Sequence, residues 1–209
     1  MRRLCVVAFA LALGGCAASS GEPANGFVKP TIADAYVPLD GRTFLVLDAH
    51  AAGVTVEPGV VVTNAHNYNL IDKASMIGRS SNYDLLFFHK PGGVPLVTAE
   101  PRVGEKVVAY GQGTDGELRM ARGMVRQLKA EALPICRGCK TQTAFAFEAE
   151  AGKGFSGGPV VDADNGKLVG IVFGYVDERG QARMMYAYDM RRVQAELAAL
   201  EGRLPVDVD

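Results

Sequence analysis

The sequence predicts an all-β domain closed by one C-terminal helix. Three observations carry that expectation. Short β-rich runs bounded by turn residues recur along the chain, at residues 43–48, 54–57, 60–63, 106–110, 145–148 and 167–173. Helical apolar spacing is found only near the end, where Val193, Leu197 and Leu200 line one face of residues 189–200. The length, 209 residues, suits one such domain and suffices to bury a core.

From the N-terminus, Arg2 and Arg3 precede an apolar run from Leu4 to Leu13, followed by Gly14-Gly15-Cys16. The run is too short to span a bilayer as a helix and reads as a secretory signal over residues 1–15. Leu13-Gly14-Gly15-Cys16 resembles a bacterial lipobox, which implies that Cys16 is lipidated and becomes the first mature residue. The competing reading is an ordinary signal cut after Ala-x-Ala-like residues. With Ala17 following Cys16, the lipoprotein resemblance implies an outer-membrane anchor facing the periplasm. Ala17 to about Lys29 is rich in Ala, Ser, Gly, Pro and Asn without apolar periodicity, so residues 16–35 are expected to form a flexible, lipid-tethered linker. The folded domain is expected over 36–200, with a short tail at 201–209.

Within that domain the chemistry concentrates in Gly154-Phe155-Ser156-Gly157-Gly158-Pro159. A serine hydroxyl is a poor nucleophile at neutral pH. It needs an imidazole to take its proton and a carboxylate to hold that imidazole's tautomer. His66, in Thr63-Asn64-Ala65-His66, and Asp84, ahead of Leu85-Leu86-Phe87-Phe88, supply both. The apolar run puts Asp84 at the mouth of a buried strand, where low dielectric strengthens its hold on an imidazolium. Asp72 is the competing carboxylate. The glycines allow a tight turn in which the N–H groups of Gly154 and Ser156 face a developing oxyanion.

The same six residues fit a Gly-x-Ser-x-Gly nucleophile elbow, but that fold needs its histidine after the serine. Here His50, His66 and His89 all precede Ser156, and Pro159-Val160-Val161 suits a strand better than a helix. His50 reads as a turn residue and His89 as a strand end.

The order His, Asp, Ser, with Val60-Val61-Val62-Thr63-Asn64-Ala65-His66, Gly104-Glu105-Lys106-Val107-Val108-Ala109-Tyr110-Gly111 and Leu168-Val169-Gly170-Ile171-Val172, resembles the trypsin-like serine endopeptidases of the chymotrypsin fold. The likeness is strongest to the bacterial Htr-type branch, over roughly residues 42–200. It implies two six-stranded antiparallel β-barrels, hydrolysis of peptide bonds through a His66-Asp84-Ser156 triad and an acyl-enzyme, and protein or peptide substrates. No cofactor and no metal are expected. The chain departs from the Htr-type pattern in the short interval between His66 and Asp84, which implies a trimmed strand or hairpin, and in Phe155, where relatives carry a small polar residue. No PDZ domain is expected after Leu200. An acylated N-terminus cannot pair with an aspartate beside the serine, so trypsinogen-style activation is not expected either. The resemblance puts Glu150 near the floor of the pocket for the residue before the cut, with Phe173, Gly174 and Tyr175 along its wall. A carboxylate at Glu150 could select Lys or Arg; the alternative is that Glu148 and Glu150 are merely outward positions of a strand. Tyr175 would narrow the pocket toward small apolar side chains.

A formal net charge of -1 gives no basic footprint for nucleic acid. Of four cysteines, Cys5 leaves with the signal and Cys16 is the lipid site, leaving Cys136-Arg137-Gly138-Cys139. Outside the cytoplasm Cys136 and Cys139 are expected to bond to each other, with half a zinc site and a thiol-redox role as alternatives. Two rival functions remain: a protease-fold binding or adaptor lipoprotein that does no chemistry, and a redox or metal protein centred on Cys136 and Cys139.

Overall fold

The computed structural model describes residues 21–42, 48–132, 142–177 and 182–203. In chain order the elements are β1 (Glu22–Pro23), α1 (Thr31–Ala35), β2 (Tyr36–Arg42), β3 (Asp48–Glu57), β4 (Val60–Thr63), β5 (Met76–Arg79), β6 (Leu86–His89), β7 (Lys106–Gly111), β8 (Arg119–Ala132), β9 (Gln142–Ala149), β10 (Pro159–Asp162), β11 (Leu168–Val176), β12 (Met184–Asp189) and α2 (Met190–Leu200). One antiparallel sheet runs β1-β8-β7-β10-β11-β12-β9, and β8 also pairs with β9. That pairing closes six strands into a barrel and leaves β1 appended outside it. The other sheet runs β2-β3-β4-β6-β5.

The expectation of two six-stranded barrels is therefore met once. Among the described residues the second sheet has five strands and stays open, with β2 and β5 as its edges. The short interval between His66 and Asp84 is the reason: it holds two 3-10 turns, Ala65–Leu70 and Lys73–Ser75, and the single strand β5. Side chains cover the edges that pairing does not. Leu70 lies on Gly41 of β2, where a Cβ would stand 2.6 Å from Leu70 Cδ2, and Leu200 of α2 lies on Gly78 of β5, 3.0 Å by the same measure. β2 also tolerates Pro38, which lacks a ladder donor and suits an edge strand.

The strands that reach the core read as continuous apolar runs because both faces are covered. All four residues of β4 are buried. Val61 packs inside the open sheet with Val37, Leu39, Leu86 and Phe88. Val60 and Val62 face a second cluster, shared with Tyr110, Val161, Phe173 and Tyr188 of the closed barrel and with Val193 and Leu197 of α2. This shared cluster fastens the two sheets together. A third cluster, including Val125, Phe145, Phe147, Phe155 and Met185, fills the barrel. Helix α2 starts where the periodicity predicts; Asp189 caps it by accepting the Arg192 N–H at 2.9 Å. Among the described residues no helix is long and apolar enough to cross a membrane.

Two expectations need correction. Composition marks Ala17 to Lys29 as a flexible tether, yet from Gly21 onward the chain packs on the barrel. Glu22 and Pro23 pair with Met120 and Arg119, Phe27 sets its ring 4.8 Å from Tyr110 and 5.5 Å from Tyr36, and Ile32 of α1 is fully buried. Two adjacent apolar residues, Phe27 and Val28, are too few to show periodicity but enough to dock when aromatic partners wait. His50 is not a turn residue: it lies in β3, with Nδ1 2.8 Å from Asp40 Oδ1 on β2. Residues 1–20, with the signal and Cys16, lie outside the described residues, as do Cys136 and Cys139.

A carboxyl pair where β7 begins and β10 ends makes one stability prediction. Burial pushes the Glu105 carboxyl above the usual range; the Arg102 N–H partly offsets that push and Asp162 adds to it. Burial works on Asp162 in the same direction, but the N–H groups of Asp164 and Asn165, at 2.8 and 3.2 Å, hold it below the usual range. A raised folded-state pKa contributes stability that is present below the ordinary glutamate value, about 4.3, and lost as pH rises through the raised value. Glu105→Gln should therefore gain in melting temperature relative to the parent protein as pH climbs from mildly acidic to neutral. A pH-independent difference would contradict this assignment.

Candidate active site

The site forms where the open sheet meets the barrel. After β4 the chain turns at Asn64, whose extended backbone (φ -82°, ψ 150°) leads into the 3-10 turn that carries His66. Three polar side chains fix that turn. Thr63 Oγ1 donates to Ala52 O at 2.7 Å, Asn64 Nδ2 donates to Asp84 O at 3.0 Å, and Asn67 Nδ2 donates to Thr63 Oγ1 at 3.0 Å and to Ser156 O at 3.3 Å. The Ser156 carbonyl also accepts the Ala52 N–H at 2.9 Å. The serine and histidine segments are thereby tied by backbone and amide contacts on both sides.

Asp84, at the mouth of β6, is fully buried. Its Oδ2 lies 2.6 Å from His66 Nδ1, and its Oδ1 accepts the His66 backbone N–H at 3.0 Å. A carboxylate at this place can only accept, an arrangement that suits the tautomer with the proton on Nδ1 and leaves Nε2 as a base. The Asp84 N–H in turn donates to the Tyr188 hydroxyl at 3.1 Å. Burial holds that hydroxyl far above the ordinary phenol range, so it stays protonated. Tyr188 is itself locked, stacked on Phe173 at 4.1 Å and meeting Tyr83 edge-on at 5.7 Å. A tyrosine of the barrel thus fixes the Asp84 backbone beside the other sheet. Asp72, the competing carboxylate, is committed locally, accepting the Ala74 N–H at 3.1 Å.

Ser156 sits in a turn whose shape only glycine permits at Gly154. There φ is +87°, and a Cβ would overlap the carbonyl of Gly113. Within the turn the Phe155 N–H donates to Gly152 O at 3.2 Å, Gly158 N–H to Phe155 O at 2.9 Å and Gly157 N–H to Val172 O at 2.8 Å. Among the described residues the N–H groups of Gly154 and Ser156 have no acceptor, which leaves two donors on one turn free for a ligand. The Ser156 hydroxyl makes no hydrogen bond to the described residues; contacts of this kind often tighten only when substrate arrives.

The expected pocket residues divide. Glu150 is exposed just beyond β9, and Glu148 leans outward to Arg126, 2.9 Å from its Nε. Phe173 is 1% exposed, its ring stacked on Tyr188 in the shared core. Gly174 and Tyr175 are half-buried. Sequence reasoning missed Arg183, which is 7% exposed although charged. Its guanidinium lies 5.0 Å over the Tyr175 ring, pairs with Asp177 and donates to Ala151 O, fastening the two segments expected to wall the pocket. The signal was an arginine heading the otherwise apolar Met184-Met185-Tyr186.

A family model described as a trypsin-like peptidase domain matches residues 71–171. The matched span includes Asp84 and Ser156 and begins just after His66. The fold is similar to the active form of the Rv3671c protease from M. tuberculosis, with a TM-score of 0.67 and 23% identity over 90% of this chain and 91% of that one. It is similar to the HtrA-type protease AlgW solved with a tripeptide, with a TM-score of 0.67 and 17% identity over 85% of this chain and 64% of AlgW. The protease domain of MamO from Magnetospirillum magneticum, in its apo form, gives a TM-score of 0.60 and 17% identity over 78% of this chain and 96% of that one. At these identities the likeness establishes a shared fold. No curated protein sequence matches the chain significantly.

Proposed function

We propose that the protein is an extracytoplasmic serine endopeptidase working through His66, Asp84 and Ser156. The observation that carries this reading is the 2.6 Å contact of His66 Nδ1 with the buried Asp84 carboxylate, beside a serine turn with two N–H groups that have no acceptor among the described residues. In this mechanism Ser156 Oγ attacks the peptide carbonyl carbon as its proton passes to His66 Nε2. The Gly154 and Ser156 N–H groups bind the oxyanion. The C–N bond then breaks as His66 returns the proton to the leaving amine, and water, activated by the same imidazole, hydrolyses the acyl-enzyme. Asp84 orients His66 and stabilises its charged form.

Substrates would be proteins or peptides, with small apolar side chains before the cut, because Tyr175 and the buried Arg183 crowd the expected pocket. We assign the trypsin-like unit to residues 36–200, with residues 21–35 packed on it, lipid anchoring to Cys16 on the strength of its lipobox, and a bond between Cys136 and Cys139. The test is to treat the protein with a fluorophosphonate and map the adduct by mass spectrometry. Stoichiometric modification of Ser156 is expected, together with cleavage of a peptide library. A folded protein that takes up no probe would favour the adaptor reading, and function lost with the two thiols rather than with Ser156 would favour the redox one.

Gly154→Ala offers a sharper check on the oxyanion donors. The new methyl group must displace the Gly113 carbonyl from a backbone that L residues rarely adopt. The expected loss in kcat is about 10²–10³-fold, the size seen when one such donor is removed. KM should change far less.

A further inference from the structure

We propose that residues 21–28 hold the serine turn in its oxyanion-binding shape, with Gly21, Phe27 and Arg119 as positioning residues. The proposal rests on the serine-peptidase reading above and assigns a task to a segment that composition marks as a mere tether.

The contacts converge on the turn from two sides. On the first side, β1 adds to the edge of β8 and sets Gly21 against the ring of Phe155, the residue between the two expected oxyanion donors. A Cβ on Gly21 would stand 2.6 Å from Phe155 Cζ and 2.7 Å from Met120 O. The base of the same residue presses on Gly111, where a Cβ would stand 2.6 Å from Phe155 Cα and 2.7 Å from its Cγ. Phe155 is fully buried, clamped between Gly111 at its base and Gly21 at its tip. On the second side, Arg119 Nη1 donates to Gly21 O at 3.3 Å while its Nε donates to Asp115 Oδ1 at 3.2 Å. The stem of Arg119 lies on Gly113, 2.6 Å from a Cβ placed there, and the Gly113 carbonyl underlies Gly154. The neighbouring Gln112 N–H donates to Gly154 O at 3.1 Å.

The rest of the segment keeps this cap in place. Ala24 N–H donates to Leu118 O at 3.0 Å, Val28 N–H donates to the Tyr110 hydroxyl at 2.7 Å, and Phe27 lies between Tyr110 of the barrel and Tyr36 of the open sheet. Without it the tip of the Phe155 ring would face water, and the Gly154–Ser156 backbone would lose support on both flanks. A turn with a positive-φ glycine relaxes easily when its packing is removed. The cap therefore substitutes apolar packing, supplied by the chain just beyond Cys16, for a charged partner of the turn.

The test uses the full-length protein in detergent. Phe27→Ala and Arg119→Gln should each slow fluorophosphonate labelling about tenfold or more, since small misplacements of a catalytic turn are costly. They should lower kcat more than they raise KM and speed amide hydrogen exchange at Phe155, Gly157 and Gly158, whose N–H groups are bonded in and around the turn. Phe27→Leu, which keeps apolar bulk, should restore most of the rate. A lower melting temperature with an unchanged labelling rate per folded molecule would overturn the proposal, as would unchanged exchange at Phe155, Gly157 and Gly158 in Arg119→Gln. A wild type that takes no label at all would instead overturn the serine-peptidase reading, while the exchange measurement would still report whether the cap holds the turn.

Discussion

Alanine at Ser156 or at His66 should each lower kcat for peptide cleavage by about a million-fold, and the double variant should lose little more. The reason lies in how the groups depend on one another. On the proposed mechanism the hydroxyl of Ser156 is a useful nucleophile only while His66 Nε2 can take its proton, and His66 Nε2 is a base only because the buried Asp84 carboxylate, 2.6 Å away, keeps the proton on Nδ1. Removing either member ends the same reaction path, so the losses cannot multiply. What remains, about 10³–10⁴-fold over uncatalysed hydrolysis, is what oxyanion donors and substrate positioning supply without the nucleophile. The measurement is steady-state cleavage of one peptide by the single and double variants, with circular dichroism to check folding. Losses that multiplied would mean that Ser156 and His66 act in separate processes. Ser156→Ala should leave the fold intact, because the Ser156 carbonyl, not its hydroxyl, holds Ala52 and Asn67.

The residues of this site were legible from sequence because their neighbours announce their surroundings. Val60-Val61-Val62 ahead of His66 and Leu85-Leu86-Phe87-Phe88 behind Asp84 are apolar on consecutive positions, and the structure buries both faces of those strands. Helix α2 was legible from Val193 and Leu197 for the same reason, since burial on one face leaves a period. Strand β8 was not. It is 14 residues long, yet only Ala121, Val125, Ala130 and Ala132 are buried, at uneven intervals among three arginines, Lys129 and Glu131. Arg183 escaped because what buries it, Tyr175, Asp177 and the Ala151 carbonyl, is brought to it by tertiary folding. The docking of Phe27 and Val28 escaped likewise, since their partner Tyr110 lies 82 residues on from Val28. Local pattern reports which face a residue shows. It does not report which distant side chain meets it.

Asp84→Asn should lower kcat by about 10³–10⁴-fold while leaving the protein nearly as stable as before. Asparagine has the size of aspartate, and its amide oxygen can still accept the His66 backbone N–H that Asp84 Oδ1 accepts at 3.0 Å. The Asp84 backbone keeps both of its bonds, to Asn64 Nδ2 at 3.0 Å and to the Tyr188 hydroxyl at 3.1 Å. Only the group facing His66 Nδ1 changes, from an acceptor to an amide nitrogen that donates. A donor there forces Nδ1 to accept and moves the imidazole proton to Nε2, so the nitrogen facing the serine is no longer a base. The fault lies in the tautomer, not in the architecture. Fluorophosphonate labelling should slow in proportion to kcat, KM should stay close to its original value, and the melting temperature should shift by only a few degrees, within about 1 kcal/mol for a domain of this size. A variant that kept its labelling rate would show that Asp84 supports the fold and that another group sets the imidazole. A variant that failed to fold would show that the buried charge, paired with His66 across the two segments, is needed for assembly before it is needed for chemistry.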